Sequence, residues 1–429
     1  MLRNKKSYLI PIVGFATIIL ISAIILYLPI CNLTQLNFRN ILYITTSAIT
    51  TCGLSKGSVV QQFSFLGQVV IAILMEIGAL GFIIFFSYFW SIRNKKIKMS
   101  DMLVINDNIS GDNYSLIKEH SIFIGKFMIK VQIIGAILLS LRFIPKFGIF
   151  QGIWHSIFMT ISSFSNGGFD LFGGNSLANF SNDVYTQIII TMLMFIGAIG
   201  IFTIEDIKNN KLRKFSRLKL QTKITLIGSA IIIILPAILI NLYEKDISFL
   251  NSLFLTVSSR STGFTITDLS KFNFGSKVIL IVLMMIGGSP TSTAGGIKII
   301  TLTIIIFTII STLRGKSETI ILWKKIPTLV VRKAFTICIL FVTLLLVSCL
   351  LFGHFNNIGA INIVFESASA LSNTGLTITD YNQLNPIGDY ILISLMFIGR
   401  VGPLSMVLLF VNEDKTDKFL KYPEENIVL

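Results

Sequence analysis

Four segments of this 429-residue chain end in the same pattern, a few small polar residues closed by a glycine and then Leu or Phe. They are Thr50-Thr51-Cys52-Gly53-Leu54, Ser165-Asn166-Gly167-Gly168-Phe169, Arg260-Ser261-Thr262-Gly263-Phe264 and Ser372-Asn373-Thr374-Gly375-Leu376. A short apolar segment precedes each, with Tyr43, Phe158, Leu253 and Phe365 all ten residues before the glycine. A second signature follows inside a long apolar run: Leu74-Met75-Glu76-Ile77-Gly78, Leu193-Met194-Phe195-Ile196-Gly197, Leu283-Met284-Met285-Ile286-Gly287 and Leu395-Met396-Phe397-Ile398-Gly399. The two glycines of each copy stand 25, 29, 24 and 24 residues apart, a register that chance does not keep four times.

Composition says which solvent the repeat meets. Apolar residues make up 53 % of the chain and charged residues 13 %, and the apolar runs reach the ~20 residues that cross a bilayer. The net charge of +15 is not a nucleic-acid footprint, because the basic residues sit in short stretches between apolar runs: Arg3 to Lys6, Arg93 to Lys98, Lys208 to Lys223, Arg314 to Lys333, and the tail from Lys415. By the positive-inside rule these stretches and both termini face the cytoplasm. Asp170, Asp183, Asp246, Asp268, Asp380 and Asp389 then fall on the outer side, where they favour cations. The first apolar run, Tyr8 to Ile30, is too long for a cleaved signal and lacks a small-residue cleavage site, so it reads as a retained span.

The expected fold is therefore an all-α membrane protein of four tandem helix, pore loop, helix repeats around one central pore. It has eight spans and four re-entrant half-helices. The first helices are predicted near 8–30, 120–144, 222–243 and 327–353, and the second near 62–92, 184–207, 276–313 and 386–411. The repeats divide the chain at 1–92, 93–213, 214–315 and 316–429, the last including a cytoplasmic tail.

A non-helical glycine segment at membrane depth must line a water or ion path, since unpaired carbonyls facing lipid are too costly. Glycine allows backbone angles that aim successive carbonyls at a common axis, where four segments replace an ion's hydration shell. The half-helices point their partly negative C-termini at that axis, which suits a cation. The candidate filter comprises Thr51, Cys52, Gly53, Asn166, Gly167, Gly168, Ser261, Thr262, Gly263, Asn373, Thr374 and Gly375.

The run from Ser276 to Leu313 would measure about 57 Å as one helix, against a hydrocarbon core of ~30 Å, so it must break. The break is Gly287-Gly288-Ser289-Pro290-Thr291-Ser292-Thr293-Ala294-Gly295-Gly296, where proline and glycines oppose helix. No Gly-Lys-Ser/Thr follows, which excludes a nucleotide P-loop. Arg400 stands where the other repeats have Ala79, Ala198 and Gly288, near mid-membrane, and a charge there costs ~2.5–3.5 kcal/mol on insertion scales. Glu76, Arg260 and Glu366 are also expected within the membrane, mainly as structural groups, with Arg260 and Glu366 a candidate pair between repeats. His120, His155 and His354 show no ligand spacing and are expected near the interfaces. Cys31, Cys52, Cys338 and Cys349 show no metal spacing and read as packing residues.

With these motifs the chain resembles the Trk/Ktr/HKT superfamily of potassium transporters, most closely its Ktr-type pore subunit, because no further pair of spans precedes the first repeat. The resemblance covers essentially the whole chain. It implies potassium coordination at Gly53, Gly168, Gly263 and Gly375, and Gly53 in place of serine implies preference for potassium over sodium. It also implies that residues 287–296 obstruct the pore below the filter and that Arg400 partners this gate loop. The loops lack the Thr-Val-Gly-Tyr-Gly filter of tetrameric potassium channels. The implied setting is a bacterial cytoplasmic membrane, with a homodimer, a cytosolic ring of nucleotide-binding RCK subunits and lipids as partners. Potassium is the cargo, sodium a candidate activator, and no covalently bound cofactor is implied. A membrane enzyme would need clustered catalytic groups, which the spans do not offer. A secondary transporter would usually show two halves, often inverted, rather than four copies in one orientation.

Overall fold

The computed structural model describes residues 6–81, 114–173, 176–210, 215–381, 384–403 and 406. Fourteen helices carry the architecture of the described residues: α1 (Lys6–Tyr27), α2 (Phe38–Ile49), α3 (Phe65–Leu80), α4 (Tyr114–Phe147), α5 (Ile149–Ser165), α6 (Val184–Ile199), α7 (Ile201–Asn209), α8 (Leu220–Tyr243), α9 (Phe249–Ser258), α10 (Phe274–Met285), α11 (Ile299–Leu313), α12 (Thr328–Phe355), α13 (Ala360–Ser372) and α14 (Pro386–Val401). Among the described residues β1 (Ile320–Ile321) and β2 (Lys324–Lys325) form an antiparallel hairpin linking α11 to α12.

Apolar side chains cover much of the outside of the molecule, and many small polar ones are buried beside its apolar core. Ile133, Ile134, Ile137 and Leu141 on α4, Ile231, Leu235 and Ile238 on α8, and Leu346 and Leu350 on α12 are all exposed. Thr45, Thr46, Ser47, Ser162, Ser163, Ser258, Ser259, Ser369 and Ser372, all on or at the ends of the short helices, are buried. Apolar exposure on this scale is stable only against lipid. The chain is an all-helical multi-pass membrane protein.

The helix before each glycine segment packs within its own repeat and against one helix from the repeat before it. Within a repeat, α2 meets α1 and α3, α5 meets α4 and α6, α9 meets α8, and α13 meets α12 and α14. Between repeats, α3 meets α5, α6 meets α9, α10 meets α13 and α14 returns to α2. The same relation thus recurs four times and closes on itself.

The predicted spans need correcting at their ends. Helices α4, α8 and α12 are long and apolar enough to cross a bilayer by length and composition. The second helices are shorter than expected. Repeat two does not run unbroken over 184–207: α6 and α7 meet at a bend of 92° at Gly200, whose φ is 85°. In repeat four α14 stops at Val401 before Gly402 (φ 95°), and in repeat one α3 stops at Leu80 before Gly81 (φ 70°). Each glycine lies three residues beyond the motif glycine and occupies a backbone region that side chains rarely tolerate, so each ends its helix. The predicted segments 82–92 and 407–411 lie outside the described residues.

Candidate functional site

Gly53, Gly168, Gly263 and Gly375 all line one cavity of about 200 Å³, together with Ser55, Asp170, Thr265 and Thr377, each two residues further on. The glycines have φ values of 92°, 71°, 83° and 88°, in the left-handed region where a side chain is strained. Their neighbours are one another. A methyl group on Gly53 would stand 2.9 Å from the Gly167 oxygen and from Gly168 Cα, and one on Gly263 would stand 2.8 Å from Gly375 Cα. A methyl on Gly375 would collide with the Cys52 oxygen, and one on Gly168 with the Thr262 oxygen. Four backbone segments therefore converge in the order one, two, three, four, with carbonyls of residues 52, 167, 262 and 374 at the contacts.

Buried polar groups hold the segments. Glu366 on α13 accepts from Thr377 Oγ1 (2.8 Å), the Ile378 and Thr379 amides (3.0 and 3.1 Å) and Tyr381 Oη (2.5 Å), stapling the chain that leaves Gly375. Asp389 at the start of α14 pairs with Lys56 (2.5 Å), three residues beyond Gly53, and with Arg39 (2.9 Å) on α2. The expected Arg260–Glu366 pair does not form, since Glu366 is occupied by its own loop. Arg260 Nη2 instead donates to the Gly287 carbonyl at 3.2 Å. Glu76 accepts from Gln132 Nε2 at 2.5 Å, between α3 and α4. His155 is buried against Phe147 and Phe172, and His354 is exposed at the end of α12. The side chain of His120 lies outside the described residues.

The broken second helix of repeat three packs against the segments of this ring. Helix α10 ends at Met285 and α11 starts at Ile299, so the break is wider than 287–296. Two backbone bonds close its base, Gly287 N to Ile297 O (3.0 Å) and Ile297 N to Met285 O (2.9 Å). The bend at Gly200 leaves carbonyls of α6 without helical partners, and the loop takes them: Ser289 N donates to Ala198 O at 3.1 Å and Thr293 N to Gly197 O at 3.3 Å. Segments two and three hold the loop from above. Asn166 Nδ2 donates to Thr293 Oγ1 at 2.5 Å, Thr262 Oγ1 donates to Asn166 Oδ1 at 2.5 Å, and Gly295 N donates to Ser261 Oγ at 3.1 Å.

Arg400, 107 residues downstream in α14, donates through Nη1 to Thr293 O at 2.7 Å and through Nη2 to the Gly78 carbonyl. It thereby joins the loop to the end of α3. Sequence reasoning missed a neighbour, Lys298, whose Nζ donates to the Ala294 carbonyl at 2.5 Å. Arg260, Lys298 and Arg400 thus bring three cationic side chains to carbonyls of one short loop. The signal for Lys298 was present, as a lysine directly after Gly295-Gly296-Ile297 inside an apolar run. Among the described residues no group of three or more His, Cys, Asp or Glu could hold a metal ion.

Residues 72–422 match the family TrkH, cation transport protein. Over 97 % of its length the chain is 33 % identical to a potassium/sodium uptake protein of Enterococcus hirae, covering 95 % of that protein. It is 31 % identical to a Ktr system potassium uptake protein B of Bacillus subtilis, with the same coverage of both chains. The fold matches the crystal structure of the potassium transporter TrkH from Vibrio parahaemolyticus with a TM-score of 0.77 at 16 % identity, covering 96 % of this chain and 86 % of that one.

Proposed function

Because the chain belongs to the TrkH family of cation transport proteins, and so is a membrane transporter and not an enzyme, we propose that it conducts potassium inward through the ring of Gly53, Gly168, Gly263 and Gly375. The observation that carries this reading is the single cavity onto which all four glycines open, with a backbone carbonyl beside each. Carbonyl oxygens around an axis replace the hydration shell of a cation, and the C-terminal ends of α2, α5, α9 and α13 add negative potential there. The repeat boundaries 1–92, 93–213, 214–315 and 316–429 follow from this axis, as do eight spans and four re-entrant limbs.

Residues 287–296 act as the gate in this proposal, with Arg400 as their anchor and as an electrostatic barrier to cations. A fixed guanidinium in a site of low dielectric repels a passing cation far more strongly than it would in water. Regulation comes from a cytosolic RCK ring docked on the basic loops, in a homodimer of the cytoplasmic membrane with both termini inside. The relative from Enterococcus hirae is titled a potassium/sodium uptake protein, which makes sodium the ion to test as competitor and as activator. The experiment is uptake of potassium and sodium in a bacterium lacking its own potassium uptake, with and without a cognate RCK subunit. Uptake that is absent with the partner present, at normal membrane abundance, would overturn the proposal.

A further inference from the structure

The residue two before each ring glycine is Thr51, Asn166, Ser261 or Asn373, and these side chains do not share the direction of the glycines. None of the four is among the residues lining the cavity over the ring. Asn166 reaches the gate loop through Thr293 Oγ1, and Ser261 reaches it through the Gly295 amide. Asn373, with its amide oriented to satisfy its neighbours, accepts from the Arg400 amide at 3.0 Å and donates to Met396 O at 3.0 Å, fixing the turn of α14 that carries the Arg400 side chain. Asn166, Ser261 and Asn373 are at most 1 % exposed. Thr51 makes no bond to the loop among the described residues.

We propose that Asn166, Ser261 and Asn373 are positioning residues for the gate: their backbones belong to the ring, while their side chains latch residues 287–296 shut. This deepens the function proposed above and rests on it. The geometry gives the reason. A loop rich in glycine and small hydroxyl residues, with Pro290 and Ala294 as its apolar side chains, has little apolar surface with which to hold itself in place, so its closed position depends largely on polar partners. Besides the carbonyls of Gly197 and Ala198 on α6, the rigid partners beside the loop are the ends of α5, α9 and α13. Asn166 and Asn373 sit at φ 54° and 53°, the left-handed conformation that asparagine tolerates better than most residues. That conformation ends the helix, and the amide of Asn166 then meets the loop.

A latch and a filter group give different kinetics. Removing a latch bond shifts the closed-to-open balance and raises the maximal rate, whereas disturbing a filter carbonyl changes affinity and ion preference. The test measures initial potassium uptake against external potassium, and sodium competition, in a bacterium deficient in potassium uptake, with rates scaled to membrane abundance. The proteins compared are the parent chain with its RCK partner, Ser261→Ala, Thr293→Val, Thr293→Ser, Thr312→Val and Gly53→Ser.

Ser261→Ala and Thr293→Val should each raise the maximal rate roughly threefold to tenfold, the worth of one buried hydrogen bond, with KM and ion preference within about twofold of the parent. Thr293→Ser, which restores the hydroxyl, should bring the rate back toward the parent. Thr312→Val removes a hydroxyl that bonds only within α11 and should leave the rate alone. If Ser261→Ala and Thr293→Val shift ion preference without raising the rate, the side chains serve the filter and the latch is overturned. An unchanged rate and preference overturns it equally. Should Thr293→Val fold poorly, Ser261→Ala alone decides by the same criteria. Gly53→Ser separates the two readings: altered ion preference there with no rate gain in the latch variants defeats the latch and keeps the filter, while unaltered preference defeats the filter.

Discussion

The second helices of repeats two and three carry nearly the same sequence toward their C-terminal ends, Leu193-Met194-Phe195-Ile196-Gly197 and Leu283-Met284-Met285-Ile286-Gly287, and end in opposite ways. Helix α6 bends once, at Gly200, and resumes directly as α7. Helix α10 gives way to an open loop before α11 begins at Ile299. At the third residue after the motif glycine, repeat two has Gly200 and repeat three has Pro290. Glycine can take the positive φ that turns the chain sharply, whereas the proline ring fixes φ near −65° and removes a donor. In repeat three positive φ appears at Thr291 (58°) and Gly296 (68°), on either side of an excursion. The two breaks then fit together, because the carbonyls freed at 197 and 198 accept from the amides at 293 and 289. One repeat's bend is the socket for the other's loop.

Removing the excursion should have the largest effect. If the loop is the gate proposed above, deleting part of Gly288 to Gly295 takes that gate away while leaving α10 and α11, and maximal uptake should rise. A gate open about 1 % of the time leaves ~100-fold of headroom. Uptake kinetics at matched membrane abundance check this. Loss of both flux and protein would instead mean that the loop is a packing element and that the two repeats differ only in shape.

Arg400→Ala comes next. The side chain holds Thr293 O and Gly78 O, both through a charged donor, and such bonds are each worth ~1.5–3 kcal/mol. Freeing one of them predicts roughly a tenfold to hundredfold rise in maximal uptake, less dependence on the RCK partner, and little change in KM. Arg400→Lys keeps the charge and loses the planar fork, so it should fall between. A destabilised protein with unchanged flux would make Arg400 a structural anchor only.

Gly200→Ala tests the socket itself. A Cβ there is strained at φ 85° and would stand 2.6 Å from the Pro290 oxygen and 2.8 Å from Ser289 Oγ. Relieving that contact pushes the loop away, at a cost of ~1–3 kcal/mol for the strained backbone. Increased uptake with some loss of thermal stability is expected, read by transport and by a melting curve in detergent. Gly81→Ala has nothing within 4 Å of its Cβ, so it shares the strain without the collision and should lack the uptake gain.

These differences also mark what the sequence could and could not disclose. The register of two glycine motifs located the ring residues, because a backbone that must approach another backbone has no substitute for glycine. The break after Met285 was legible because proline and several glycines stand together. The bend at Gly200 was not, since Gly-Ala-Ile-Gly in an apolar run also reads as a close-packed helix. Partners of buried charges were equally hidden: Arg260 turned to a carbonyl of the loop and Glu366 to its own chain, choices made by distance in three dimensions and not by complementary sign.

The smallest expected effect lies at the mouth, where repeats two and three differ again. Two residues beyond the ring glycine, repeat two has Asp170 and repeat three has Thr265, and both line the cavity, as do Ser55 and Thr377. Repeat two alone contributes a carboxylate at this position. Asp170 accepts from the Phe172 amide at 2.9 Å, and burial pushes its pKa up to about 6, with bonds from the Phe172 amide and the Ser176 hydroxyl opposing the shift. A group with a raised pKa is charged above that value and neutral below it. Lowering external pH from 7 to 5 should therefore remove a negative charge from the mouth and raise the KM for potassium. A single partly hydrated charge predicts a change of about threefold, on the order of 0.6 kcal/mol, with maximal rate unaltered. Asp170→Thr, which copies repeat three, should fix KM near its low-pH value and flatten its pH dependence. A KM that still varies with pH in Asp170→Thr would place the titrating group elsewhere and leave the two mouths electrostatically alike.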